Sequence, residues 1–145
     1  MSLSVDIVVF DKLDQILALV QVRGARNTSA EWARNVREAA LTAQPKLISP
    51  PYFLVVARDW VYLWVTSDRD CPPQFRYATP DMFAGYFNAS GTNPGEIAPS
   101  ALELLVGIWL TEMAAGSPRS RDFDRGLSAL LDAIADGHIK FPTAA

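Results

Sequence analysis

The chain has 145 residues, half of them hydrophobic, and a formal net charge of −3; that is the size and balance of one globular domain with a real core. No apolar run reaches the roughly 20 residues that a spanning helix needs. The opening Met1–Asp6 stretch lacks the basic start and continuous apolar core of a secretory signal, so a soluble, cytoplasmic protein is expected. One cysteine, Cys71, and one histidine, His138, exclude an internal disulfide and a Cys/His zinc cluster. The acidic balance argues against a protein coated along nucleic acid, leaving room for a local basic patch at Arg23, Arg26, Arg34 and Arg37.

In chain order, Val5–Phe10 and Ile16–Val22 are rich in β-branched and apolar residues and flank the polar segment Asp11–Gln15, which predicts a β-hairpin. The second run is apolar on both faces until Gln21, the pattern of a central strand covered on each side. Thr28-Ser-Ala-Glu31 has capping-box spacing and predicts a helix start at Thr28. The stripe Trp32, Ala33, Val36, Ala39, Ala40 and Ala43 runs along that helix, with Arg34, Arg37, Glu38 and Thr42 off it and Pro45 as its stop. Tyr52–Ala57 and Val61–Val65 flank Arg58-Asp-Trp60, a second hairpin, whose turn is expected to expose Trp60. Strand, helix and strand in this order imply a right-handed crossover to a parallel neighbour.

Residues 66–78 read as loop because Pro72 and Pro73 block regular structure. Thr79 as cap and Pro80 at the first helical position predict a helix through Met82, Phe83, Tyr86 and Phe87, ending near Asn88. After the Gly/Pro-rich link Ser90–Gly95, Ser100-Ala-Leu-Glu103 predicts a second capping box. The helix it opens carries Leu102, Leu105, Val106, Trp109 and Met113, widened by Leu104, Ile108 and Leu110, and is expected to be well buried before Gly116 and Pro118. A last amphipathic helix with Phe123, Leu127, Leu130, Leu131 and Ile134 closes at Gly137, leaving a tail whose residues His138–Phe141 suit an edge strand. No serine–histidine–acid order and no P-loop are present, and the pairs Asp122/Asp124 and Asp132/Asp136 read as solvated helix-face charges.

A strand with Asp6, a hairpin, a strand ending Gln21-Val22-Arg23, a crossover helix and a further strand together resemble the PD-(D/E)xK nuclease superfamily, the restriction-endonuclease-like fold. Some members, similar to Mrr-type restriction nucleases, carry Gln-x-Lys where most carry Glu-x-Lys. The stretches Val5–Asp11, Val20–Gly24, Pro51–Ala57 and Tyr62–Trp64 also resemble small bacterial proteins of unassigned function with such a core. The resemblance implies an α/β fold in one domain over 1–145, with a hairpin–helix–hairpin nuclease-like core over 1–66 and a helical half over 79–137 packed on it. It also implies a metal site for Mg²⁺ at Asp6, Gln21 and the Val22 carbonyl, with catalytic roles for Asp6, Gln21 and Arg23. In such a site the metal activates water and steadies the leaving oxygen, while the residue two beyond the second ligand faces the same side of the strand.

The departures from that pattern have chemical consequences. Gln21 offers a neutral carbonyl oxygen in place of a carboxylate, and Arg23 stays protonated and cannot serve as a base, although it can clamp a phosphate. Val5 replaces the usual Pro, and the helix and strand that precede this point in the standard core are expected to be absent or to lie outside this polypeptide. The residues alone also permit Asp6 to pair with Arg23 across the hairpin, which would block a metal. The leading expectation is a degenerate nuclease-fold domain acting as a nucleic-acid or protein binding module. The alternatives are a Mg²⁺-dependent DNA endonuclease (hydrolase) and a structural partner-binding domain whose open sheet edge favours a homo-oligomer.

Overall fold

The computed structural model describes residues 5–43, 49–117 and 125–142. β1 (Ile7–Phe10) and β2 (Ile16–Val22) form the first hairpin, α1 (Ala30–Thr42) crosses over, and β3 (Tyr52–Val56) and β4 (Trp60–Trp64) form the second. β1 and β2 are antiparallel, β2 and β3 parallel, and β3 and β4 antiparallel. β5 (Phe75–Ala78), α2 (Thr79–Met82), α3 (Ala84–Ser90), a 3-10 turn at Pro94–Glu96, α4 (Pro99–Ala114), α5 (Arg125–Ile134) and β6 (His138–Lys140) follow. The result is an α/β protein with one six-stranded mixed sheet in the order β5-β4-β3-β2-β1-β6. No helix among the described residues is long and apolar enough to cross a membrane.

Alternation along the strands divides the core in two. Val8, Leu19, Phe53, Val55, Tyr62 and Trp64 pack with Ala33, Ala40 and Leu41 of α1. Ile7, Val9, Ala18, Val20, Leu54, Val56, Val61 and Leu63 pack with Phe87 of α3, Leu102, Leu105, Val106 and Leu110 of α4, and Leu127, Leu130, Leu131 and Ile134 of α5. Helices therefore cover both faces, and β2, buried from Leu17 to Val22, runs through the middle as its sequence predicts.

Several boundaries move for local reasons. Ser29 caps α1 by accepting from Trp32 N–H at 3.1 Å. Thr28 turns away: its N–H and hydroxyl donate to Asp59 at 2.8 Å each, and its Oγ1 lies 2.9 Å from the Tyr62 hydroxyl. Thr79 is likewise no cap, since Ala78 holds that position and the buried Thr79 hydroxyl donates to the Ala57 carbonyl at 2.8 Å. The expected single helix breaks in two at Phe83 (φ −112°, ψ 28°). α4 starts at Pro99 with Ala98 as its cap, so Ser100 and Glu103 form no capping box. The segment 66–78 is not all loop: its last four residues, Phe75–Ala78, add β5 to β4. Trp60 opens β4 only part-exposed, with the Arg76 guanidinium 3.8 Å from its ring centre.

β6 occupies the outer edge of β1. The outer edge of β1 is therefore paired within the chain, and β5 and β6 are the outer strands. His138 in β6 stacks on Phe10 at 4.9 Å and its Nε2 lies 3.5 Å from Asp14. The expected stops at Pro45 and Pro118, the helix start at Phe123 and the pair Asp122/Asp124 lie outside the described residues.

Candidate functional site

The site sits where β1 begins and β2 ends. Register places Ile7 opposite Val20, so Asp6 reaches the end of β2, and its Oδ2 accepts from the Val22 N–H at 2.6 Å. Gln21 is the last buried polar residue of β2, at 3% exposure. Arg23 lies just beyond β2, its N–H donating to the Val56 carbonyl at 2.8 Å. Gln21 and Arg23 share a side of the strand, so the guanidinium turns back across the strand end.

That return fixes the chemistry. Arg23 Nη1 donates to Asp6 Oδ2 at 3.3 Å, to Gln21 Oε1 at 3.3 Å and to the Val22 carbonyl at 3.0 Å. These are the three oxygens that the nuclease resemblance would assign to a metal, and here they surround a protein cation. With the two side chains 44% and 29% exposed, the ion pair contributes about 0–1 kcal/mol. The described contacts of the guanidinium all run through Nη1, and the rest of the fork faces outward with the exposed part of the side chain.

Two features unforeseen in the sequence complete the corner. Gly24 lies against the first turn of α4: a Cβ at this position would stand 2.6 Å from Pro99 Cγ and 3.6 Å from Arg58 Nη2. Only a residue without a side chain admits that approach. Arg58, whose backbone N–H donates to the Ala25 carbonyl at 3.1 Å and whose Nε donates to the Ile97 carbonyl at 2.8 Å, is thereby held beside Gly24, and Arg26, two residues on from Gly24, is exposed. α4 begins there with no side-chain cap and no acidic residue in its first turn, so its N-terminal dipole is not neutralised locally. Glu103, one turn further on, has its carboxyl held above the ordinary glutamate range, first by burial and then by the negative charge of Asp6. No sequence signal ties Glu103 to Asp6, because their proximity depends on α4 docking against the strand ends.

The other arginines of the predicted basic patch are engaged elsewhere. Arg37 leaves the set: it is 1% exposed, with Nη1 donating to the Asp68 carbonyl at 2.8 Å and Nη2 to the Thr66 carbonyl at 3.1 Å. Its guanidinium lies 5.0 Å from the Trp64 ring centre and 5.8 Å from that of Phe53. A buried cation so enclosed has no face to offer a phosphate. Arg34 is exposed, but its Nη2 donates to the Asp70 carbonyl at 3.0 Å, on the loop between β4 and β5.

As a metal centre the corner fits poorly. Among the described residues no three His, Cys, Asp or Glu side chains come together as a ligand set, and the Asp6 carboxylate, the Gln21 amide and the Val22 carbonyl oxygens already surround Arg23 Nη1. A hard divalent cation needs more anionic oxygen than this. The site belongs to a mixed-sheet α/β protein whose strand ends carry arginines around an uncapped helix start. Compared with protein-family models, curated proteins and solved structures, the chain gives no significant match.

Proposed function

We propose that the chain is a non-catalytic domain built on a restriction-endonuclease-like core, and that it binds the phosphate backbone of DNA through Arg23, Arg26 and Arg58. The observation that carries this reading is the seating of Arg23 Nη1 among Asp6, Gln21 and the Val22 carbonyl. An arginine in the place of the metal removes the Lewis acid but keeps a positive charge where a scissile phosphate would lie. Its planar fork suits phosphate oxygens, and the uncapped start of α4 beside Gly24 adds oriented N–H groups. The hairpin–crossover–hairpin order of β1 to β4 agrees with such a core.

The test is fluorescence anisotropy of a labelled duplex across a salt series, beside a cleavage assay with Mg²⁺ and Mn²⁺. Binding that weakens with salt, a slope shallower by about one in Arg23→Ala, and no cleavage are expected. Cleavage abolished by Asp6→Ala, or no binding at low salt, would overturn the proposal.

A second reading, a Mg²⁺-dependent DNA endonuclease, draws on one observation: Asp6 is close enough to Glu103 for its charge to raise the Glu103 carboxyl. This supplies a second carboxylate from α4 within the same chain. The reading requires Arg23 to swing out and predicts that Glu103→Gln abolishes metal-dependent cleavage as fully as Asp6→Ala does.

A further inference from the structure

α4 is apolar nearly all round, the pattern of a helix enclosed by protein. It is enclosed on one side only. Leu102, Leu105, Val106 and Leu110 face the core, while Leu104 and Ile108, one turn apart, stay 58% and 47% exposed. Phe141 extends this surface, because its ring rests on Gly107, where a Cβ would stand 2.2 Å from Cζ, and it remains 42% exposed. Three of the five exposed large hydrophobic side chains among the described residues thus lie together, and Ser100, Glu103, Leu104 and Phe141 line an open cleft of about 320 Å³ beside them. Scattered exposed leucines need no explanation, whereas a continuous apolar patch with a charged border marks a contact surface.

The charges on α4 select the occupant. Its charged residues are Glu103 and Glu112, one at each end of the exposed stripe, and it carries no lysine or arginine. The lysine beside Phe141 does not compensate: Lys140 sits over the Phe10 ring at 5.3 Å, on the α1 side of the sheet. A second copy would bring the same two carboxylates and no lysine or arginine on its own α4, so its matching face offers these glutamates no opposite charge. We infer that this face docks an amphipathic helix of a partner protein, with an apolar stripe laid along Leu104, Ile108 and Phe141 and flanking lysines or arginines directed at Glu103 and Glu112. The inference is independent of the role given to Arg23.

The experiment uses the full chain and two synthetic helical peptides that share a leucine/alanine stripe, one flanked by lysines and the other by glutamates. The lysine peptide is expected to bind about tenfold or more tightly than the glutamate peptide at low salt. Leu104→Ser with Ile108→Ser should weaken it about tenfold, and Glu103→Gln with Glu112→Gln should remove most of its salt dependence. In the unmodified chain, hydrogen exchange should slow over residues 100–112 when the lysine peptide is added, which tests the surface without any substitution. Equal binding of the two peptides, or protection elsewhere, would overturn the inference. So would sedimentation showing a dimer that the Leu104/Ile108 substitutions dissociate, because the occupant would then be a second copy.

Discussion

At the end of β2, Arg23 gathers a carboxylate, an amide and a main-chain carbonyl around one nitrogen and leaves the rest of its fork toward water. Beneath the loop that follows β4, Arg37 donates to the carbonyls of Thr66 and Asp68 with both terminal nitrogens and is sealed against Trp64 and Phe53. Burial pulls the Arg37 guanidinium below its ordinary value, partly offset by Cys71, Glu38 and Asp68, yet arginine keeps its charge. Its Nε finds no hydrogen-bond partner among the described residues. The same side chain is thus a structural clasp where it is enclosed, and a half-open cation where it is not. Around Arg37 the loop is held by further contacts with α1 and β4: Arg69 reaches Glu38 at 2.9 Å, Arg34 reaches Asp70, and Trp64 Nε1 of β4 donates to the Cys71 carbonyl at 3.0 Å.

The largest effect that separates the two corners is on stability. Arg37→Met should lower the unfolding free energy by about 2–4 kcal/mol, because it leaves the Thr66 and Asp68 carbonyls without their donors in a closed site. Urea denaturation measures this, and a loss below about 1 kcal/mol would break the contrast drawn here. Gly24→Ala should cost about 1–3 kcal/mol, since the new methyl must displace Pro99 from a 2.6 Å approach. It should also move α4 away from Arg23, which a weaker salt-dependent association with a DNA duplex would report.

Arg23→Ala, in contrast, should change stability by about 0–1 kcal/mol, the range of an exposed ion pair, and should act on anion binding instead. Thermal melts run beside anisotropy titrations distinguish these outcomes. The smallest effect concerns Glu103. Its carboxyl ionises less readily in the folded chain than in the unfolded one, so its charge opposes folding at pH values above its raised pKa. That penalty fades as pH falls through the raised value toward the ordinary glutamate range. Glu103→Gln should therefore stabilise the protein slightly near neutrality, and the gain should vanish in acid. An equal gain at all pH values would remove Asp6 and burial as its cause.

Much of the sheet could be read from the residues, because the signals were local. The runs Val5–Phe10, Ile16–Val22 and Tyr52–Ala57 contain β1 to β3, Val61–Val65 overlaps β4 with a one-residue offset, and the helix expected between them is α1. Strand alternation alone put Gln21 and Arg23 on one side, and the hairpin brought Asp6 to them. β5 was hidden because Phe75-Arg-Tyr-Ala78 is short, follows two prolines, and is a strand only by pairing with β4. The two capping-box expectations failed for a similar reason. Thr28 finds better partners in Asp59 and Tyr62, and Pro99 in the first turn of α4 displaces the start expected at Ser100.

From sequence alone, then, came the order of the strands and helices through β4, the central position of β2 and the convergence of Asp6, Gln21 and Arg23, since each rests on periodicity or on neighbours within a hairpin. Tertiary structure decided which groups those residues meet. It placed a guanidinium among the would-be metal ligands, buried Arg37 under a loop whose carbonyls compensate it, brought Arg58 and Glu103 to the site from distant elements, and left one face of an apolar helix open. Charge compensation and burial are set by groups far apart along the chain, and no local pattern of residue types encodes which of them will meet.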